Sequence, residues 1–453
     1  MSKKMLEKIM VFIAFAALLA GTCVCAAVGQ TNSGLSRDGY TLEQVVVLSR
    51  HNIRSPLSGK GSILGEITPH EWFSWSSAPS ELSLRGGVLE TEMGQFFRKW
   101  LESEGLITEN YRPEGEEVRI YANSKQRTIA TAQYFSAGFL PTANLDIEYH
   151  MEFDKMDSVF TPQLTFISDA YAEYMEAETR SLFSDKVNDL ADNYALLADV
   201  IDMDESDALK NGTASEFRTD DLELIYHLNE EPAMTGSLKT ACSVADALVL
   251  QYYEEPDEKK AAFGHELSAE QWKELSEIKD LYVDVLYTSP LVSLNVAHPL
   301  LQEIRTEMGT EGRLFTFLCG HDSNVASVLA ALDTEDYVLP DAIETKTPIG
   351  CKLVFSKWSD PDGKAFWSVD LVYLTTEQLR EMPLLGQGTA PAIYPVVLSG
   401  LERTQNGLYA EDDILERLDQ VVEAYDTIVE NYSELVPAEE IVPVGELVPA
   451  LVP

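Results

Sequence analysis

Three short apolar runs constrain the fold more than any other feature of the chain. They are Val45-Val46-Val47-Leu48, Val118-Arg119-Ile120-Tyr121 and Leu314-Phe315-Thr316-Phe317-Leu318. Each reads as a strand inside a sheet, and each leads into residues that carry chemistry. The first runs into Arg50-His51-Asn52-Ile53-Arg54-Ser55-Pro56, the second is followed closely by Arg127, and the third by His321-Asp322. Ligands of open α/β sheets bind beyond the carboxyl ends of the strands. Residues far apart in sequence are therefore expected to meet at one end of one sheet.

Helical spacing follows the strands. From Gly86 to Gly105, the residues Val88, Leu89, Met93, Phe96, Phe97, Trp100 and Leu101 form one apolar face. A second helix is predicted over 126–137 and another over 323–332, with further strands at 313–319, 350–356 and 367–375. Residues 151–285 look mainly helical, with polar breaks at Asp204-Glu205-Ser206-Asp207 and Asn211-Gly212-Thr213. The expected architecture is α/β, an open mixed sheet flanked by helices and built from 38–150 and 286–432. A mainly α-helical domain is inserted at 151–285.

Both ends differ from this pattern. Lys3, Lys4 and Lys8 precede the apolar stretch Met10 to Ala20, and small residues follow, which predicts an export signal over 1–27. The stretch is too short to span a membrane, which takes about 20 residues. Cys23 offers lipoprotein anchoring as a second reading, weakened by Thr22 in front of it. At the other end, Val436-Pro437, Val442-Pro443, Val448-Pro449 and Val452-Pro453 cannot continue a helix, and 433–453 reads as an extended, disordered tail. Cys242, Cys319 and Cys351 show no paired spacing and read as buried thiols, with a disulfide among them left open. The oligomeric state is left open as well.

The formal charge of −42 argues against nucleic acid or an anionic membrane as partner. It does not exclude a small anionic substrate. Exposed charges are screened beyond about 8 Å at physiological salt, whereas arginines in direct contact make charge-assisted hydrogen bonds.

The residues themselves point to phosphate-ester chemistry. A neutral His51 is a competent nucleophile toward phosphorus. Arg50, Arg54 and Arg127 can neutralise phosphoryl oxygens and disfavour protonation of His51. His321 can donate a hydrogen bond to phosphate. Asp322 is the candidate proton donor to the leaving oxygen, a role that needs a raised pKa, which burial would supply. Structural readings stand beside these: Arg50 and Arg54 as a surface pair, Arg127 as an exposed helix start, Asp322 as N-cap of the following helix. His70, His150, His227, His265 and His298 lack metal-ligand spacing and read as structural.

Arg50-His51-Asn52-Ile53-Arg54-Ser55-Pro56 and Gly320-His321-Asp322-Ser323-Asn324 resemble the paired signatures of the histidine acid phosphatases, within the histidine phosphatase superfamily. Asn52 stands where the usual motif has glycine, and that variant resembles the bacterial periplasmic glucose-1-phosphatase subgroup. Gly86-Gly87-Val88-Leu89-Glu90, Tyr121-Ala122-Asn123-Ser124, Gln126-Arg127-Thr128, Leu250-Gln251-Tyr252-Tyr253-Glu254 and Thr347-Pro348-Ile349-Gly350 agree with it. The resemblance implies a phosphoglycerate-mutase-like α/β domain under a helical one. It also implies phosphomonoester hydrolysis through a phosphohistidine without metal or other cofactor. His51 matches the nucleophile, Arg50, Arg54, Arg127 and His321 the phosphate-binding set, and Asp322 the proton donor. Glu231 falls in a segment resembling one at the subgroup's pocket mouth, where a carboxylate would repel multiply phosphorylated substrates. The expected substrate is a sugar phosphate such as glucose 1-phosphate. The alternatives are a phytase, acting on inositol hexakisphosphate, and a non-catalytic phosphate-ester binding protein. The chain departs from the family in its few cysteines and in its tail.

Overall fold

The computed structural model describes residues 34–57, 62–386 and 389–433. The expected export signal, Cys23 and the Val-Pro repeats lie outside these residues. Contacts divide the chain into Met1–Ser36 and Arg37–Pro453, and among the described residues all the helices and strands belong to the second unit.

The unit opens with β1 (Thr41–Arg50), α1 (Leu84–Ser103), β2 (Val118–Ala122) and α2 (Gln126–Phe139). A helical stretch follows: α3 (Asp169–Asn188), α4 (Ala191–Val200) and α5 (Asp207–Asn211). The hairpin β3 (Glu223–Ile225) and β4 (Ala233–Thr235) interrupts it before α6 (Ser237–Glu254), α7 (Glu258–Ala261), α8 (Ala269–Tyr287) and α9 (Pro290–Met308). Alternation returns with β5 (Phe315–Gly320), α10 (Asp322–Ala331), β6 (Lys352–Ser359), β7 (Ala365–Tyr373) and α11 (Thr376–Glu381). The last elements are β8 (Ala392–Pro395), β9 (Tyr409–Ala410) and α12 (Glu411–Asn431).

One mixed sheet runs β2-β5-β1-β6-β7-β8, with β9 on β7. β1 and β2 flank β5 in parallel, and the remaining neighbours are antiparallel. The register places Arg50 beside Gly320 and Ala122 beside Cys319, so the three strands predicted from the apolar runs end together. The pairing continues past the strand ends: the His51 N–H donates to Gly320 O (3.0 Å) and the Asn123 N–H to Cys319 O (2.9 Å).

Strand alternation sends successive β5 side chains to opposite faces. Phe315 and Phe317 meet Phe135 and Phe139 of α2, the Phe135–Phe317 pair stacking at 4.1 Å. Thr316, between them, donates to Glu307 of α9. Helices thus cover both faces, and β5 and the Val45–Arg50 part of β1 are buried throughout, as their apolar runs required. α1 and α2 cross tightly because two glycines sit at the crossing. A Cβ on Gly94 would overlap the Phe135 carbonyl, and one on Gly138 the Thr91 carbonyl.

The predicted helices at 86–105, 126–137 and 323–332 are α1, α2 and α10, with no end moved by more than two residues. The strand expected over 350–356 begins instead at Lys352. Gly350 has φ +72°, and its N–H donates to the His51 carbonyl at 3.1 Å, so it belongs to a turn that locks the His51 loop. Cys242, Cys319 and Cys351 are free thiols, the latter two buried and Cys242 partly exposed. Among the described residues no helix is long and apolar enough to cross a membrane.

Candidate active site

The ends of β1, β2 and β5 open into a cavity of about 280 Å³, lined by His51, Arg54, Arg127, His321 and Asp322 on the sheet side. The facing wall comes from the helical stretch and includes Glu231, Asp246, Lys279, Tyr282 and Tyr287. The sequence-derived residues, spread over 272 positions from Arg50 to Asp322, therefore share one site.

His51 is buried, and its Nδ1 lies 2.9 Å from the Asn52 carbonyl. A carbonyl only accepts, so Nδ1 carries the proton and Nε2 keeps its lone pair. Burial depresses the His51 pKa well below the ordinary histidine value, and Arg127, Arg54, His321 and Arg50 push the same way. Asn52 anchors this loop: its Nδ2 donates to Glu90 (2.8 Å), its Oδ1 accepts from Ile53 N–H (2.8 Å), and its own N–H reaches Thr131 (3.1 Å). Glu90 is itself held by Lys352 at 2.9 Å, both fully buried.

His321 has the same tautomer for a different reason. The Asn123 Oδ1 accepts from the Asp157 N–H, which fixes the Asn123 amide and makes its Nδ2 the donor to His321 Nε2 at 2.7 Å. His321 Nδ1 then carries the proton, 3.3 Å from the Arg127 Nη2. Two donors side by side suit one shared acceptor, such as a phosphoryl oxygen. Burial and Arg127 hold His321 neutral, well below the ordinary histidine pKa.

Arg50 and Arg54 are buried, so they are not a surface pair. Arg50 Nη2 lies 3.1 Å from Asp322, and its Nη1 donates to Glu344 at 2.9 Å. Arg54 Nη1 is 3.1 Å from Asp246. Arg50 Nε, Arg54 Nε and Arg127 Nε are buried donors with no hydrogen-bond partner among the described residues. Arg54 and Arg127 line the cavity, where guanidinium groups can take an oxyanion. Arg127 is the second residue of α2 and turns into the cavity rather than to solvent; burial and Arg54 lower its pKa to about 10, and it stays cationic.

Two expectations for Asp322 need correction. It is the first residue of α10, and the N-cap is His321, whose N–H donates to Asn324 Oδ1 at 2.9 Å. Its pKa is not raised. Enclosure works in that direction, but Arg50 and Arg54 outweigh it and hold the carboxyl well below the usual range. Glu231 is exposed on the cavity wall, and its carboxylate accepts from the Tyr287 hydroxyl at 3.2 Å.

Lys279, Asp246 and Glu344 were not singled out from the sequence, and Asn123 was named only within the stretch Tyr121-Ala122-Asn123-Ser124. Lys279 did carry a signal, since it interrupts the apolar spacing Leu275, Lys279, Val283 on α8. Asp246 likewise interrupts the run Val244 to Leu250 on α6. In a chain with 75 acidic residues, Glu344 gave none. His70, His150 and His298 lie elsewhere, paired with Asp202, paired with Glu148 and stacked on Tyr425 respectively.

The chain is similar to known proteins over most of its length. It is 36% identical to a glucose-1-phosphatase of Providencia rettgeri, covering 82% of this chain and 90% of that one. It is 26% identical to the phytase AppA of Escherichia coli, covering 80% and 87%. The solved phytase of Citrobacter braakii superposes with a TM-score of 0.76 at 24% identity, over 85% of this chain and 97% of that one, which speaks to fold alone. The profile of the histidine phosphatase superfamily (branch 2) matches residues 41–373, which hold every strand end that reaches the cavity. The chain belongs to that superfamily and is a phosphatase.

Proposed function

We propose that the protein is an exported acid phosphatase that hydrolyses small phosphate monoesters, sugar phosphates such as glucose 1-phosphate foremost, through a phosphohistidine on His51. The observation that carries this reading is the His51 tautomer. Nδ1–H is committed to the Asn52 carbonyl, so a neutral Nε2 is available beside Arg54, Arg127 and the His321 N–H.

The reaction follows from these parts. The phosphoryl group binds among Arg50, Arg54, Arg127 and His321 Nδ1–H. The His51 Nε2 lone pair forms a bond to phosphorus as the ester P–O bond breaks, and the carboxylic acid of Asp322 passes its proton to the leaving oxygen. A water then attacks the phosphohistidine, giving its proton to the Asp322 carboxylate, and the N–P bond breaks to release phosphate. An ionised Asp322 cannot start this cycle. A phosphate dianion brings negative charge against the arginines that depress Asp322, so binding favours protonation of that carboxyl. Acidic pH favours the same state.

Substrate preference rests on the facing wall. Lys279 is already engaged by Glu344 and Asp246, and the other polar groups are Glu231, Ser243, Tyr282 and Tyr287. This surface suits one phosphate carried on a hydroxylated leaving group. Similarity to a phytase keeps inositol hexakisphosphate as the second reading. The export reading rests on the N-terminal segment, and a mature protein starting at Val28 would support it.

Phosphate release from p-nitrophenyl phosphate, glucose 1-phosphate and phytate, measured in EDTA between pH 3 and 8, tests the proposal. Release that vanishes in His51→Ala and is fastest with glucose 1-phosphate is expected. Full activity in His51→Ala would end the phosphohistidine reading, and faster release from phytate would reverse the substrate order.

A further inference from the structure

Six charged side chains alternate in sign along the floor and back wall of the site: Asp322, Arg50, Glu344, Lys279, Asp246, Arg54. The links are 3.1, 2.9, 2.8, 3.2 and 3.1 Å. Lys279, buried on α8, is the one member that touches both Glu344 and Asp246. Those two carboxylates are the partners of the arginines. Glu344 is further held by the Tyr253 hydroxyl and the Ile349 N–H, each at 3.1 Å on Oε2. It cannot swing away if its cation is lost.

We infer that Lys279 is a positioning residue that acts through Glu344 and Asp246, neutralising them so that Arg50 and Arg54 keep their positive charge for the phosphate. The inference rests on the phosphatase reading of the site and goes beyond it, because Lys279 comes from the helical wall and need not touch the phosphoryl group. With Arg127 and Glu231 of the cavity wall added, four cations balance four carboxylates. Without Lys279 the balance turns negative, and two buried carboxylates compete with phosphate for the same guanidinium groups. Removing Asp246 as well would restore the balance.

The test is the affinity of inorganic phosphate, measured calorimetrically and as product inhibition, with KM and kcat for p-nitrophenyl phosphate. Lys279→Gln is expected to weaken phosphate and raise KM together, by about tenfold or more. Asp246→Asn is expected to bind phosphate at least as tightly as wild type. Lys279→Gln/Asp246→Asn should return to within a few-fold of wild type. A merely structural lysine would lower thermal stability without this pattern of opposite signs. A folded Lys279→Gln with unchanged phosphate affinity overturns the inference, as does an Asp246→Asn variant weakened as much as Lys279→Gln. Should Lys279→Gln not fold, the double variant is compared with Asp246→Asn and must bind more weakly than it; equal affinities overturn the inference. Wild-type protein that neither binds phosphate nor releases it would instead count against the phosphatase site itself.

Discussion

His51 and His321 hold the same tautomer yet offer opposite chemistry to the cavity. His51 spends its Nδ1 proton on the Asn52 carbonyl and presents a lone pair; His321 spends its lone pair on the Asn123 amide and presents a proton. The difference comes from backbone and amide partners that a motif does not display. At this scale the proton-donor role proposed for Asp322 makes a sharp prediction. Asp322→Asn should slow glucose 1-phosphate hydrolysis far more than p-nitrophenyl phosphate hydrolysis, by roughly a hundredfold against a few-fold in kcat, since p-nitrophenolate leaves without a proton. Equal losses on both esters would remove Asp322 from that role. Glu231 is tested separately. If its carboxylate repels multiply charged substrates, Glu231→Gln should raise the ratio of phytate to glucose 1-phosphate turnover severalfold. An unchanged ratio would leave Glu231 as a surface carboxylate.

At the scale of elements, much of the site was legible before any coordinates. Strands buried on both faces must be nearly continuous apolar runs, and parallel neighbours must end at the same edge, so β1, β2 and β5 could be placed together. α1 and α2 were visible in their apolar faces, but their crossing was not. Its closeness depends on Gly94 and Gly138, whose missing side chains leave no periodic trace. Gly138→Ala should cost about 1–3 kcal/mol, because a methyl group there overlaps backbone of α1 and the helix must shift. Denaturant unfolding monitored by circular dichroism measures this, and an unchanged midpoint would mean that the crossing is loose. Lys279 and Asp246 were hidden for another reason. A charge on an apolar helical stripe shows that something unusual is buried, but its partner lies on another element, and only packing of α6 and α8 over the strand ends names it.

Across the whole molecule, buried carboxylates favour acid conditions. Burial raises Asp280 and Glu178 to about 7 and Asp284 to about 6. A carboxyl with a raised folded-state pKa contributes stability that is fully present below its unfolded value, near 4, and lost as pH rises through the folded one. Glu344 opposes this in a lower window: burial would raise it, but Lys279 and Arg50 bring it down to about 2, so its contribution disappears as pH falls toward that value. Below about pH 6.5 the histidines held neutral, His51 and His321, oppose this, because the unfolded chain protonates them and the folded one does not. The melting temperature should therefore rise as pH falls from 7.5 to about 6.5, flatten below that, and drop below about 3.5. A melting temperature that falls steadily between pH 7.5 and 6.5 would contradict the raised values. The sequence by itself determined the α/β class and the three strand ends, and it offered His51, Arg50, Arg54, Arg127, His321 and Asp322 as candidates, because apolar periodicity and residue chemistry are local properties of a chain. Tertiary structure alone decided the tautomers, the low pKa of Asp322 and the partners of each arginine. Apart from the Asn52 carbonyl next to His51, the partners lie about 3 Å away from groups tens to hundreds of residues off in sequence, and no local pattern encodes such distances.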